Sequence, residues 1–195
     1  MIIGIDADGV LTDMAGFNCK YGEIFFKRKP VDPFAYKTGD MFGVGHSQEI
    51  LFGTRYFYEY CCKLQPREDA QEVNRQLSDD SHQLYAITAR KYAVQHNPLG
   101  WLSRHLFTGW LKKNELRFED ILFCTESNTP AEKLDYCKRI SAEIMIDDNP
   151  EVALFLARNG MTVLLFDAPY NKDIAHEKII RVYGWKEIYK YVIQT

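Results

Sequence analysis

Five short apolar runs recur along the chain, each ended by turn-forming or polar residues: Ile2-Ile3-Gly4-Ile5, Leu84-Tyr85-Ala86-Ile87, Ile121-Leu122-Phe123-Cys124, Ile144-Met145-Ile146 and Thr162-Val163-Leu164-Leu165-Phe166. They are too short for buried helices and rich in β-branched residues, so they read as central strands. Helical patterns separate most of them. Pro98 to Asn114 repeats apolar residues at Leu99, Leu102, Leu106 and Trp110. Thr129 to Arg139 opens with Thr129 as the expected N-cap, Pro130 at the first helical position and Glu132 completing a capping box. Asn149 to Asn159 opens with an Asn cap and Pro150, and Gly160 stands where a left-handed C-terminal residue is expected. Strand–helix–strand alternation implies an α/β fold with a mostly parallel, doubly wound sheet. Ligands of such sheets bind beyond the carboxyl ends of the strands.

The first and second strands are separated by far more chain than one crossover helix needs. Residues 14–83 hold three helical candidates, Met14 to Lys27, Ser47 to Leu64 and Pro66 to about Ser78, with Pro30, Pro33, Gly39, Gly43 and Gly45 between the first two. This stretch is expected to form an inserted helical cap, leaving 1–13 and 84–195 as the α/β core. It also carries an aromatic excess: of 27 Phe, Tyr and Trp residues, 12 fall between Phe17 and Tyr60.

Composition excludes several classes of partner. With 24 Lys+Arg against 27 Asp+Glu and no basic block, the chain lacks the positive stripe that a nucleic-acid polymer requires. Its longest apolar run, Met161 to Phe166, is about six residues against the roughly 20 of a membrane span. No secretory leader is expected, since the N-terminus has no basic segment before its apolar residues. Five cysteines without paired spacing, and five scattered histidines, form neither a disulfide framework nor a zinc site. A cytoplasmic location with reduced thiols is the expectation.

Chemistry gathers at the strand ends. Asp6-Ala7-Asp8-Gly9 follows the first strand, Thr88-Ala89-Arg90 the second and Asp147-Asp148-Asn149 the fourth, while Lys133 lies in the first turn of the Thr129 helix. Parallel topology brings these ends to one edge. Clustered carboxylates repel one another and are stable together around a cation or a shared proton. All-oxygen ligands select a hard ion, and Mg²⁺ with retained waters fits best. A cation beside Lys133 and free helix-start N–H groups makes a receptor for a phosphate dianion. The pattern points to phosphoryl chemistry.

Asp6-Ala7-Asp8-Gly9-Val10-Leu11-Thr12, Thr88, Lys133 and Asp147-Asp148 resemble motifs I to IV of the haloacid dehalogenase-like (HAD) superfamily. Within it, Thr88-Ala89-Arg90, the insertion directly after motif I, and Ala168-Pro169-Tyr170-Asn171 followed by Arg181-Val182 and Trp185 resemble the 5′(3′)-deoxyribonucleotidase-like family and its bacterial members. The resemblance implies that Asp6 attacks phosphorus to form an aspartyl-phosphate, which splits one difficult step into two displacements. It implies that Asp8 protonates the leaving oxygen and then deprotonates the hydrolytic water. Mg²⁺ is assigned to the Asp6 carboxylate, the Asp8 backbone carbonyl and Asp148, with Asp147 nearby through water. The residues themselves do not decide between Asp147 and Asp148, and Asp148 is the expected direct ligand. Thr88 and the Ala89 amide would hold phosphate oxygens, and Lys133 would neutralise developing charge. Arg90 is expected to be structural.

Substrate choice must come from the cap. Phe17, Phe42 and Tyr56 are the candidates to meet a base, with Phe34, Tyr36 and Phe57 beside them, since stacking on a base contributes about 1–3 kcal/mol. A helical subdomain also needs its own core, which aromatics fill. Three readings follow: a Mg²⁺-dependent 5′-nucleotidase acting on (deoxy)ribonucleoside monophosphates, a phosphatase for a sugar phosphate or similar small phosphomonoester, and a non-enzymatic phosphate-ligand binder. Retention of both Asp6 and Asp8 counts against the last. Exposed cap aromatics would also offer a face for a homodimer.

Overall fold

A computed structural model describes all 195 residues, Met1–Thr195. Six parallel strands form one sheet: β1 (Ile2–Ile5), β2 (Gln83–Thr88), β3 (Asp120–Phe123), β4 (Ile144–Asp147), β5 (Thr162–Phe166) and β6 (Ile179–Val182). Their order is β3-β2-β1-β4-β5-β6. The chain therefore steps outward from β1 to β3, then returns to the other side of β1 with β4. The crevice outside the carboxyl ends of β1 and β4 lies at this switch point.

The two-residue period of the strands sorts the core into two layers. Ile3, Ile5, Ile144, Ile146, Leu164 and Phe166 point to one face, beneath α4 (Ala70–Asp79), α5 (Pro98–Lys113) and α8 (Trp185–Gln194). Met145, Val163 and Leu165 point to the other, beneath α6 (Thr129–Ile140) and α7 (Pro150–Arg158). Asp147 follows Met145 by two residues and so faces α6. That parity decides which helix answers its charge.

Between β1 and β2 lie α1 (Met14–Phe26), α2 (Thr38–Phe42), α3 (His46–Arg55), a π-helical turn (Glu59–Lys63) and α4. The expected insertion, 14–83, divides into two parts. Phe17, Phe52 and Tyr56 form a separate small core, with Met14, Tyr21, Phe25, Phe26, Tyr60 and Leu64 packed around it. Ala70, Val73 and Leu77 of α4 instead join the sheet's own core with Ile3 and Ile5. The cap ends where the chain returns: Pro66 pairs with Thr12, and the Arg67 N–H donates to Leu11 O at 2.8 Å. The exit and return segments thus lie side by side, joined by this one antiparallel bridge.

Local details depart from the expected boundaries. The continuous helix over 47–64 breaks after Arg55, where Tyr56 caps α3, and resumes as the π turn. The helix expected from Pro66 begins at Ala70, because 66–67 pair with 11–12 and Asp69 takes φ 61°. Thr129 is not an N-cap. It is the first helical residue, and its hydroxyl donates to Thr125 O at 2.7 Å. Glu132 accordingly closes on Thr125, accepting from its N–H at 2.8 Å and its hydroxyl at 2.6 Å. Asn149 caps α7 as expected, accepting from the N–H groups of Glu151 and Val152, and Gly160 has φ 91°. β6 lies outside the five apolar runs of the sequence because Arg181 interrupts its apolar pattern. All five cysteines are unpaired, and no helix is long and apolar enough to cross a membrane.

Candidate active site

Asp6 leaves β1 with its N–H donating to Ile146 O at 2.9 Å, so its carboxyl is fixed beside the end of β4. Lys133, the fifth residue of α6, donates to Asp6 Oδ1 and to Asp147 Oδ2, each at 2.7 Å. The Asn149 N–H donates to the other Asp147 oxygen at 2.9 Å. Both oxygens of Asp147 are thus engaged by protein. Asp148 differs: the Tyr170 hydroxyl donates to Oδ2, while Oδ1 is buried without a partner. Its carboxylate rests against Gly9, where an added Cβ would lie 2.0 Å from Oδ2 and where φ is 99°. Glycine is required here both for the turn and for the close approach.

Electrostatics follow from burial. Burial pushes the Asp6 carboxyl up to about 7, with Lys133 opposing and Asp147 and Asp8 reinforcing the shift. Burial, and then the charges of Asp6 and Asp147, raise Asp148 well above the usual carboxylate range. For Lys133, burial disfavours the charge, but Asp147 and Asp6 outweigh it and hold the ammonium above its ordinary range. Asp6, Asp147 and Asp148 can each present an oxygen within 4.8 Å of the others. One ammonium does not balance three such carboxylates. A hard divalent cation fits this donor set, and Asp148 Oδ1, buried without a protein donor, is an oxygen able to receive it.

Asp8 is engaged from two sides. The Tyr60 hydroxyl, from the π turn of the cap, donates to Oδ2. Arg90 Nη1 lies 3.6 Å from Oδ1. The Arg90 guanidinium is itself 4.3 Å from the Tyr60 ring centroid and 4.4 Å from that of Phe107, a buried cation between aromatic faces. Thr88 ends β2 with its hydroxyl buried and unpartnered, and Ala89 follows it. The buried side-chain atoms without a partner in this protein are Asp8 Oδ1, Thr88 Oγ1, Arg90 Nε and Nη1, and Asp148 Oδ1. All belong to this one edge.

The structure therefore brings Asp6, Asp8, Thr88, Lys133, Asp147 and Asp148 together. It does not bring the expected base-binding aromatics. Tyr56 and Phe42 are buried within the cap, Phe42 against Gly22 and Phe26. Phe17 packs in the same core and shows an edge only to a groove of about 420 Å³ lined by Asp13, Lys20, Lys63 and Arg67. Of the cap rings expected beside them, Tyr36 reaches the site, edge-on to Tyr170 with centroids 4.9 Å apart, and Tyr60, outside that set, reaches it at Asp8. Tyr60 and Tyr170 carry no spacing signal for their contacts with Asp8 and Asp148. Arg90 is structural in its stacking, yet it also faces Asp8.

A family model described as 5′ nucleotidase, deoxy (pyrimidine), cytosolic type C protein matches residues 1–195. The chain belongs to this family. It is a phosphoric monoester hydrolase of the HAD type. A nucleotidase of Clostridium acetobutylicum is 28% identical over 189 residues, covering 96% of this chain and 91% of its own. A HAD family hydrolase of Deinococcus radiodurans, solved with bound phosphate and sodium, superposes with a TM-score of 0.69 at 16% identity, covering 99% of this chain and 95% of that one. The D,D-heptose 1,7-bisphosphate phosphatase of B. bronchiseptica, solved with magnesium and phosphate, gives a TM-score of 0.59 at 10% identity, covering 100% and 98%. These two likenesses concern the fold of this family member.

Proposed function

We propose that this hydrolase is a Mg²⁺-dependent 5′-nucleotidase acting on (deoxy)ribonucleoside monophosphates through an aspartyl-phosphate. The observation that carries the reading is the gathering of every unpartnered buried side-chain atom at one edge. Such atoms are costly unless a ligand completes them. Asp8 Oδ1 and Arg90 Nη1 face each other at 3.6 Å, which leaves the Thr88 hydroxyl and Asp148 Oδ1 to suit a phosphate together with a cation.

Asp6, Asp148 and the Asp8 backbone carbonyl would hold the Mg²⁺, with Asp147 in reserve through water because Lys133 and Asn149 occupy its oxygens. The bound cation would supply charge neutralisation for the phosphoryl group and for the crowded carboxylates. Asp6 is the nucleophile: Lys133 fixes one of its oxygens and so limits the directions in which it can attack. Asp8 is the acid and then the base. Tyr60 and Arg90 hold it apart from Asp6, so the two carboxyls meet different surroundings and can take different roles. Thr88 and the Ala89 amide bind phosphate oxygens, and Lys133 offsets charge as the bond to phosphorus forms. Tyr36, reaching over from the cap, is the ring placed to meet the nucleoside.

The decisive experiment is phosphate release from deoxy- and ribonucleoside 5′-monophosphates and from sugar phosphates, with and without Mg²⁺. Nucleotide turnover that requires Mg²⁺ is the expected result. Sugar phosphates turned over far faster than any nucleotide would remove the substrate class. Full activity in a chelator would remove the cation.

A further inference from the structure

The loop after β5 is built around a side chain with no part in the proposed chemistry. Asn171 is fully buried, and its amide donates to Asp148 O at 2.8 Å and to Phe166 O at 2.9 Å. Its side-chain oxygen accepts from the Ala168 N–H at 3.1 Å and from Arg181 Nη1 at 2.8 Å. Arg181 also donates to Asp167 Oδ1 at 2.9 Å and to the Asn171 carbonyl at 2.8 Å. The short 3₁₀ turn Pro169–Asn171 is thereby tied to the backbone of Asp148 and to β6. A polar plug this complete fixes the position of what it carries. It carries Tyr170.

We infer that Tyr170 is a positioning residue for the cation: its hydroxyl holds Oδ2 of Asp148, so that Oδ1 alone faces the metal site. This rests on the cation-dependent reading above. The two oxygens of Asp148 are unequal because Tyr170 donates to one and nothing donates to the other. Gly9 lies close against the carboxylate, so the Tyr170 hydroxyl and the Gly9 backbone together restrict its rotation. Removing the hydroxyl leaves a second buried oxygen unpartnered and the carboxylate free to rotate. The four residues Ala168-Pro169-Tyr170-Asn171 and distant Arg181 then share one purpose: they aim a metal ligand. The edge contact with Tyr36 also places a cap residue against the same ring.

The test is calorimetric titration of Mn²⁺ and Mg²⁺ into the full chain without substrate. Tyr170→Phe keeps the ring, the Tyr36 contact and the loop, and loses only the hydroxyl. Its dissociation constant is expected to rise about tenfold to a hundredfold, the usual cost of losing a group that orients a ligand. The metal-free melting temperature should fall by only a few degrees, the cost of one more unpartnered buried oxygen. Arg181→Lys, which loosens the plug without touching Asp148, should weaken binding by a smaller factor. Cation affinity unchanged or tightened in Tyr170→Phe overturns the inference, as does unchanged affinity in Arg181→Lys should Tyr170→Phe not fold. A wild type that binds no cation overturns both this and the proposed function. A wild type that binds the cation but hydrolyses no phosphomonoester overturns the proposed function alone, and the binding comparison still decides the role of Tyr170.

Discussion

Lys133 donates to Asp6 across 127 residues of chain, at 2.7 Å and almost fully buried. The same ammonium reaches Asp147 at equal distance, so one cation is shared by two strand ends on opposite sides of the switch point. The orientation of Asp6 and the engagement of Asp147 are therefore coupled.

Asp6→Asn preserves shape and removes the proposed nucleophile. Turnover should fall by at least about 10³-fold, as for the loss of a group that acts within a catalytic unit. Steady-state phosphate release checks this, and full activity in the variant would end the aspartyl-phosphate mechanism.

Cation binding should appear as stability. At a hundredfold excess over the dissociation constant, Mg²⁺ should add about 2.7 kcal/mol to the wild type. That corresponds to a melting temperature higher by roughly 5–10 °C for a chain of this size. In Asp148→Asn the increment should vanish. The metal-free variant should be no less stable than the metal-free wild type, because it carries one buried like charge fewer. Thermal melts with Mg²⁺ and with a chelator decide both points.

Tyr60→Phe tests the cap's hold on Asp8. A hydrogen bond to a charged group contributes about 1.5–3 kcal/mol. If that contact aligns Asp8 for proton transfer, kcat should drop about tenfold to a hundredfold while KM changes little. A rise in KM at constant kcat would assign Tyr60 to substrate binding instead.

Gly9→Ala places a Cβ 2.0 Å from Asp148 Oδ2 and strains a backbone at φ 99°. Activity and cation binding should be lost together. Circular dichroism should still report a folded chain, since the collision is confined to the site.

Leu77→Ala asks where the cap ends. Leu77 is fully buried in the sheet core, so the truncation should cost about 2–5 kcal/mol in denaturant unfolding. A loss below about 1 kcal/mol would place α4 outside the cooperative core.

Local patterns made the sheet readable: β-branched runs of four to six residues, Asn149-Pro150 at a helix start, and aspartates where strands stop. These features are encoded in neighbouring residues, so periodicity and capping chemistry expose them. The convergence of Asp6, Thr88 and Asp147 followed too, because parallel strands bring like ends to one edge. α4 was harder to place. Its amphipathic pattern says that it packs, but not whether it packs on the sheet or within the cap.

The residue order by itself determined a doubly wound α/β chain with a carboxylate-lined edge and an aromatic insertion. Only the tertiary structure decided which carboxylate oxygen is left open. Asp147 and Asp148 are neighbours with identical side chains, and strand parity turns the first toward Lys133 and the second toward Gly9 and Tyr170. It also decided that the aromatics of α1 and α3 pack against one another while Tyr36 and Tyr60 reach the site. Helical spacing places a side chain on a face, but hydrogen bonds spanning 22 and 52 residues are settled by how elements dock.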